Sequence, residues 1–580
     1  MAGGASSDLE TKGQNLVDES PENGGSHARF DALGSTGEAE LPGVVRMEAV
    51  NSHLTFGWRC GLYFSMFFVS YAITLNQLVS GTYQGYATST WDHHSLLSTI
   101  NVVRGVISAA ALPLAAKLSD LVGRVECFVV ASVFFVVGSI IQAAAQNIQA
   151  FATGSLLTQI GYTSVQLLVE IVVSDTTSLR SRLFFLFFPS FPNLINVWVS
   201  GNITSSILEA TTWRWGYGMW CIIYPVCAAP FIIVLVMVGR GATKKDSRQG
   251  PSNQTHFLRL SASEMHSKLD LIGLFLLTAA LSLLLIPMTL AGGETQKWKT
   301  AGIITPVVLG AIFLPLFLFW ESKAAHPLLP YSLFKDRSVW AAIGIAFFGA
   351  ASYTTQSDFL FTVLLVGYDF SIEAATRVSV ISSFMEAAGG ILGGAVIYKF
   401  RRGKLLIIAG CVVWFVSYGL MYHYRGGSSG ANRAGIIAGQ VLVGTATSLV
   451  TFPNIIIAMA LARHEDIAVL TSLWLAMNWA GFAVGNCVSG AIWTQTLYGQ
   501  LQRDLGPVNA TLVDLVYAEP LYVVPEYPVG TPERTAIIVS YKYIQKLLTL
   551  TGLGFVIPAF FFAFCLRNPK MKGYFVTASV

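Results

Sequence analysis

Four ionisable side chains stand inside stretches that are otherwise almost wholly apolar: Arg104, Glu170, Asp358 and Glu386. A charge at mid-bilayer costs at least ~3 kcal/mol on insertion scales, so such residues face water, pair with one another or handle protons. A carboxyl group so placed can take up and release a proton. Asp358, Glu386 and Glu170 are therefore the candidate proton-coupling residues. The alternative for each is a structural ion pair between helices. Arg104 cannot give up its proton and reads as a counter-ion or a substrate anchor.

A second set is polar but neutral. Tyr71, Asn76 and Gln77 share one apolar run, Tyr353 and Gln356 flank Asp358, and Trp474, Asn478 and Trp479 share another. With Arg104 they are the candidate substrate-binding residues. Asn193, Asn196, Trp198, Gln440, Thr447, Thr451, Asn454 and Asn486 extend the set. Hydrogen-bonding groups among aromatics suit a bulky amphipathic solute. Taken singly, each also serves as glue between helices. His-Glu-x-x-His and Cys-x-x-Cys are missing, so no catalytic residue, no thiolate metal site and no enzyme activity is expected. Gly-x-x-x-x-Gly-Lys-[Ser/Thr] is missing too, which points to an ion gradient as the driving force.

The elements that position these residues are apolar runs of about 20 residues, long enough to cross a bilayer. The 580 residues are 53% hydrophobic and 12% charged, with a mean hydropathy of +0.58; a soluble protein could not hide that much apolar surface. Fourteen spans are predicted, at 57–80, 97–117, 125–146, 150–173, 183–203, 214–238, 269–290, 302–320, 338–361, 375–398, 405–424, 433–462, 467–497 and 547–566. The expected fold is an all-α membrane protein in a lipid bilayer. Residues 1–55, rich in Gly, Ser and acids, read as a disordered cytoplasmic tail with no signal peptide. An N-terminal six-helix bundle follows at 56–238, a basic cytoplasmic linker at 239–268, two inserted helices at 269–320, a C-terminal six-helix bundle at 338–566 with a long outer loop at 498–546, and a cytoplasmic tail at 567–580. The net charge of +4, with no basic block interleaved with aromatics, argues against nucleic acid.

Lys and Arg favour one set of loops by roughly two to one, which puts both termini in the cytoplasm. The sequons at Asn202 and Asn509 then fall outside, where glycosylation occurs, and the one at Asn253 falls inside. The seven cysteines all lie in or beside apolar runs and make no disulfide framework. The loop at 498–546, with five prolines and six tyrosines, reads as a lid or a spacer. Adjacent His93 and His94 point apart on most backbones, which disfavours a metal site and leaves acid sensing.

One polar turn, Lys117-Leu118-Ser119-Asp120-Leu121-Val122-Gly123-Arg124, separates two long runs. An acid, a glycine and an arginine there can join two helix ends and hold them with a breakable charge contact. Asp120, Gly123 and Arg124 form a candidate conformational latch, with Asp120 against the start of the thirteenth span near Ile467, where the helix dipole welcomes an anion.

The turn resembles the loop after the second helix of the major facilitator superfamily, with Leu118, Asp120, Gly123 and Arg124 matching. Ala116, Leu121 and Val125 depart from that pattern. Beyond it, residues 55–575 resemble the fungal siderophore iron transporters. The resemblance rests on His94-Ser95-Leu96-Leu97-Ser98-Thr99-Ile100, Lys117 to Glu126, Ser174 to Arg182, Trp213-Arg214-Trp215-Gly216-Tyr217-Gly218-Met219, His464 to Val469 and Ser489 to Thr494. The resemblance implies a major facilitator fold, with two bundles of six and two extra helices between them. It also implies uptake of a ferric siderophore together with protons, across the plasma membrane or an endosomal or vacuolar membrane. The iron then travels inside its chelator, with no cofactor and no protein ligand to the metal, and the carrier is expected to be a monomer. The rival is a proton-coupled exporter or exchanger of glutathione or drugs. Against it, the fifth span lacks Gly-x-x-x-Gly-Pro-x-x-Gly-Gly and reads Phe-Pro-Ser-Phe-Pro-Asn-Leu-Ile-Asn-Val-Trp over 188–198.

Overall fold

Backbone groups in lipid have no water to bond to, so apolar runs close their hydrogen bonds internally as helices. The computed structural model shows only helices and their connections among the described residues. These are residues 54–568 except 178–187, 247–268, 292–296, 325–326, 329–332, 401 and 462–466, together with Met47, Val50 and Asn51. Expectations for the N-terminal tail, most of the linker with the Asn253 sequon, the His464–Asp466 motif and the last residues lie outside them.

Fourteen helices of eighteen residues or more follow in chain order: α1 (Phe56–Thr90), α2 (Leu97–Val122), α3 (Arg124–Ala144), α4 (Ile148–Thr176), α5 (Asn193–Ala210), α6 (Trp220–Asp246), α7 (Leu271–Leu290), α8 (Ala301–Glu321), α9 (Arg337–Ser357), α10 (Ile372–Phe400), α11 (Lys404–His423), α12 (Gly430–Leu461), α13 (Ile467–Asp504) and α14 (Pro532–Cys565). Each of these helices, counted among the described residues, overlaps one expected span. Among the described residues, eleven stretches are long and apolar enough to cross a membrane. The three long helices that fall short, α5, α10 and α13, carry many of the polar residues singled out above.

Two boundaries differ from expectation in a way that matters. α13 runs on to Asp504 and α14 begins at Pro532, so the outer connection is residues 505–531, not 498–546. Polar side chains of the extended ends pair with one another: Ser540 Oγ donates to Asp504 Oδ2 at 2.9 Å. Thr531 caps α14 by accepting from Arg534 N at 3.3 Å, with Pro532 in the first turn, where a missing N–H costs nothing. Secondly, α9 breaks after Ser357 and resumes as a short helix, Leu360–Gly367. Asp358 sits at that break.

The end of the bundle carrying residues 505–531 is called outer here, after the charge bias. α1 packs on α5 and α6, α2 on α4, and α3 on α4 and α6, giving a first half; α9 packs on α12, α13 and α14, α11 on α12 and α14, and α10 on α12, giving a second. The halves meet along two seams, α2 against α13 and α5 against α10. The α2–α13 seam is tight because small residues line it: a Cβ at Gly105 would stand 3.0 Å from the Ala483 backbone, and one at Gly490 would collide with Ser98. Close helix approach through small residues is how bundles gain contact where hydrophobic burial adds nothing.

Candidate functional site

The break in α9 presents Asp358 to the seam. Its Oδ1 accepts from Asn101 Nδ2 of α2 at 2.7 Å, and its Oδ2 accepts from Ser489 Oγ of α13 at 2.5 Å. One carboxylate therefore ties the first half to the second. Behind it, Asn101 Oδ1 accepts from Gln84 Nε2 at 3.1 Å and, at 3.5 Å, from Arg104 Nη1. Asn101 and Arg104, three residues apart, share a face of α2.

Arg104 is held by amide oxygens. Its Nε donates to Gln159 Oε1 at 2.9 Å, Nη1 to Gln84 Oε1 at 3.4 Å and Nη2 to Gln77 Oε1 at 3.2 Å. A small cavity opens beside it, lined by Gln77, Ser80, Gln142, Thr158 and Tyr217 among others. Asp358 is an acid whose charge acts on Arg104. Cation and anion are thus linked through Asn101 rather than in direct contact.

Glu386 is placed differently. On α10 it is half-buried, and no described residue donates to it. Its charge is felt by Tyr353, whose hydroxyl bonds Ser382 Oγ at 3.0 Å. The carboxyl therefore lies close to Tyr353 of α9 with no described hydrogen-bond partner. Glu170, near the inner end of α4, takes a hydrogen bond from Gln166 of its own helix. The described contacts join Asp358 and Glu386 through no shared partner.

The other expected residues divide. Gln77, Tyr353, Asn478 and Trp479 are half-buried, and Trp479 packs on Phe482. Tyr71 is half-buried as well, and its carbonyl accepts from Asn196 at 3.1 Å. Asn76 and Trp474 are 4% and 5% exposed. Gln356 does not line the interior space: it is fully buried and accepts from Gln440 Nε2 at 2.8 Å. Asn454 is glue as well, donating to Ala342 O at 2.8 Å. Asn202 lies within α5, eight residues before its last, and Arg377 donates to it. A helix this far from its end does not present a sequon to the outside, so Asn509, at the start of a short helix in the outer connection, is the remaining candidate.

At the inner turn Gly123 has φ 126°, a conformation that favours glycine, and breaks α2 from α3. Asp120 pairs with Arg124 at 2.7 Å, and Arg124 also reaches Asp175 at 3.2 Å and Ser119 O at 2.8 Å. The partner expected at Ile467 has no described side chain.

At the outer end His93 is exposed and His94 buried, so the two do point apart. His94 Nδ1 pairs with Ser89 Oγ of α1 at 3.0 Å and Nε2 with Thr362 Oγ1 of the second half at 3.0 Å. On the other seam Thr376 Oγ1 bonds Thr82 at 3.0 Å and Thr204 at 3.1 Å. The outer connection reaches across as well: Tyr522 Oη bonds Thr90 Oγ1 at 3.2 Å, and its ring meets Tyr86 edge-on at 5.6 Å. The halves are closed on each other at the outer end. Sequence reasoning missed Asn101, Ser489 and the His94 bridge; the Asn101–Arg104 spacing was the available signal.

The family model for the fungal trichothecene efflux pump (TRI12) matches residues 32–498. Siderophore iron transporter ARN1 of Saccharomyces cerevisiae is 38% identical over 516 residues, covering 88% of this chain and 82% of that one. This chain belongs to the fungal siderophore iron transporter family. Within that family, siderophore iron transporter 1 of the same yeast is 40% identical, over 89% of this transporter and 82% of its own length. MFS siderochrome iron transporter C of Aspergillus fumigatus is 32% identical, over 91% and 87%. The fold is that of the major facilitator transporters. A bacterial homolog of the human lysosomal transporter Spinster, in an inward-facing and occupied conformation, superposes with a TM-score of 0.54 at 13% identity, over 88% of this transporter and 97% of that chain.

Proposed function

We propose that the transporter takes up ferric siderophore chelates with protons by alternating access. The observation that carries this reading is the Asn101–Asp358–Ser489 link: an ionisable group at the junction of two halves that are closed on the outside. When the outer end opens, Asp358 loses its Asn101 donor, and a proton replaces it as the means of avoiding a bare charge. When the end closes, Asn101, Ser489 and the field of Arg104 hold the carboxylate again. Glu386, with no donor of its own, is free to take the proton on toward the inner side. A proton moving inward gains about 2.3 kcal/mol per 100 mV. At ~1.4 kcal/mol per tenfold, that supports roughly a 40-fold gradient of a neutral solute.

The chelate occupies the interior between Gln77, Tyr353 and Trp479. Its iron is already wrapped, so the protein contributes stacking and hydrogen bonds rather than metal ligands. The ion pairs of Arg124 hold the inner turn and are remade as the inner end moves. The protein works as a monomer with both termini in the cytoplasm, in the plasma membrane or an endosomal or vacuolar membrane.

A second reading is export, favoured by the efflux name of the matching family model. The deciding experiment is uptake of a panel of labelled ferric siderophores into cells lacking other carriers, with and without an inward proton gradient. Acid-stimulated accumulation of at least one chelate is expected. Faster loss of preloaded chelate, with no accumulation, establishes export instead.

A further inference from the structure

The hairpin α7–α8, inserted between the halves, has no part in the cycle above. α8 packs on α7 and turns Ile304, Val308, Ile312 and Phe319 outward, a surface for lipid. α7 lies over the α2–α13 seam and touches both helices, but the two contacts are unlike in kind.

Toward α2 the hairpin is fastened at both ends. At the outer end Thr99 Oγ1 donates to Thr289 Oγ1 at 2.9 Å. At the inner end Lys117 interacts electrostatically with Asp270, just before α7, and with Glu321, the last residue of α8. Both carboxylates are buried, at 5% and 1% exposed. Asp270 also draws the two hairpin helices together, accepting from Gly273 N at 3.2 Å and from Trp320 Nε1 at 2.8 Å. A half-buried cation and two buried anions are costly to part, because each loses its partner in a low-dielectric setting.

Toward α13 the contact is smooth. Leu281, Leu285, Ile286 and Met288 rest on a patch that α13 supplies through Ala483 and Cys487 and α2 through Val102 and Val106. The polar contact there is a weak thiol bond, Cys487 Sγ to Leu285 O at 3.4 Å. An apolar face over small residues can slide at little cost; a paired charge cannot.

We propose that the α7–α8 hairpin travels with the first half, fixed to α2 by Thr289, Asp270 and Glu321, and slides over α13 as a lateral wall that keeps lipid out of the opening seam. This rests on the two halves moving, as proposed above. Three cysteine links test it. Thr99→Cys with Thr289→Cys joins α7 to α2, where hydroxyls now 2.9 Å apart suit a disulfide. Leu285→Cys, joined to the native Cys487 by oxidation or a short bis-thiosulfonate, ties α7 to α13. Val102→Cys, joined to the same Cys487, ties α2 to α13 directly. Linked peptides are identified by mass spectrometry, and uptake is measured before linking, after linking and after reduction.

The α7–α2 link should leave uptake within about twofold. The α7–α13 link should cut it at least tenfold, with recovery on reduction that shows the variant is folded. If the α7–α2 link also arrests transport, or if the α7–α13 link does not, the hairpin does not ride with the first half. The Val102 link separates that failure from failure of the cycle: if tying α2 to α13 leaves uptake intact, the halves do not part along this seam. Lys117→Gln, which weakens the inner fastening, should slow uptake severalfold and shift the hairpin's α2 cross-linking yield; no change in either overturns the anchoring role.

Discussion

Asp358 and Glu386 are the same kind of group in opposite surroundings. Asp358 is gripped by donors from both halves, whereas Glu386 has no described donor and lies near Tyr353. On the proposed cycle the gripped carboxyl reports whether the outer end is closed, since closure would bring Asn101 to it. The ungripped one is left to exchange its proton.

The comparison breaks most visibly when both are neutralised. Asp358→Asn with Glu386→Gln should abolish acid-driven accumulation. Singly they should differ. Asp358→Asn removes the anion from a site built around it and should cost ~3 kcal/mol, about 100-fold in uptake rate. Glu386→Gln should lose accumulation against a gradient yet still exchange labelled for unlabelled chelate, because binding and closure need no proton at that position. Acid-driven accumulation that survives in Glu386→Gln would remove it from the proton path.

Asn101 is the next lever. Asn101→Ala deletes the link between halves and should slow uptake about tenfold, the worth of one hydrogen bond to a charged group. Asn101→Asp sets a second carboxyl against Asp358. The loss should be larger at neutral pH and relieved on acidification, since a shared proton then replaces the repulsion. A variant equally slow at every pH would mean that the contact is only structural.

A third carboxyl, outside the membrane, sharpens the same contrast. Glu519 of the outer connection hydrogen-bonds Asp92, which lifts it to about 7. Trp91, next to Asp92 in the chain, and Trp213 carry the Arg214 guanidinium on their rings. A free glutamate titrates at ~4.3, so the folded contact holds a proton that the released loop does not. Its contribution is fully present below that value and is lost as pH rises through about 7. Protection factors for amide exchange over 505–531, corrected for the intrinsic base-catalysed rate, should be larger at pH 5 than at pH 8, and Glu519→Gln should flatten the difference. Equal protection factors in the parent protein at both pH values would show that the pair does not titrate.

Why the fold was more legible than the site follows from the range of each signal. A bilayer forces helices on any apolar run of sufficient length, so fourteen elements could be read locally. Their ends could not: α13 and α14 extend beyond the apolar stretch because Asp504 and Ser540 pair with each other, a contact thirty-six residues apart in sequence. Charges in apolar runs flagged Arg104, Asp358 and Glu386 because each costs energy unless used. Neutral amides carry a weaker signal, since the same Asn or Gln serves as lining or glue. Asn101 and Gln356 fell on opposite sides of that ambiguity, one overlooked and the other assigned to the pocket.

Gln356 supplies the smallest effect and the cleanest control. It is fully buried, and its Oε1 accepts from Gln440 Nε2 at 2.8 Å; Gln440 also reaches Met421 Sδ at 3.2 Å. Gln356→Leu therefore removes an acceptor between α9 and α12 and leaves a buried donor to its weaker sulfur partner, a cost of about 1 to 3 kcal/mol in stability. The chelate does not touch this position, so affinity should be unchanged while the detergent-solubilised protein melts a few degrees lower. The pair substitution Gln356→Leu with Gln440→Leu should recover part of the loss, because two apolar groups of similar shape leave nothing unsatisfied. A change in chelate affinity without a change in melting would return Gln356 to the binding surface, and with it the view that neutral amides on the outer half of α9 face the substrate.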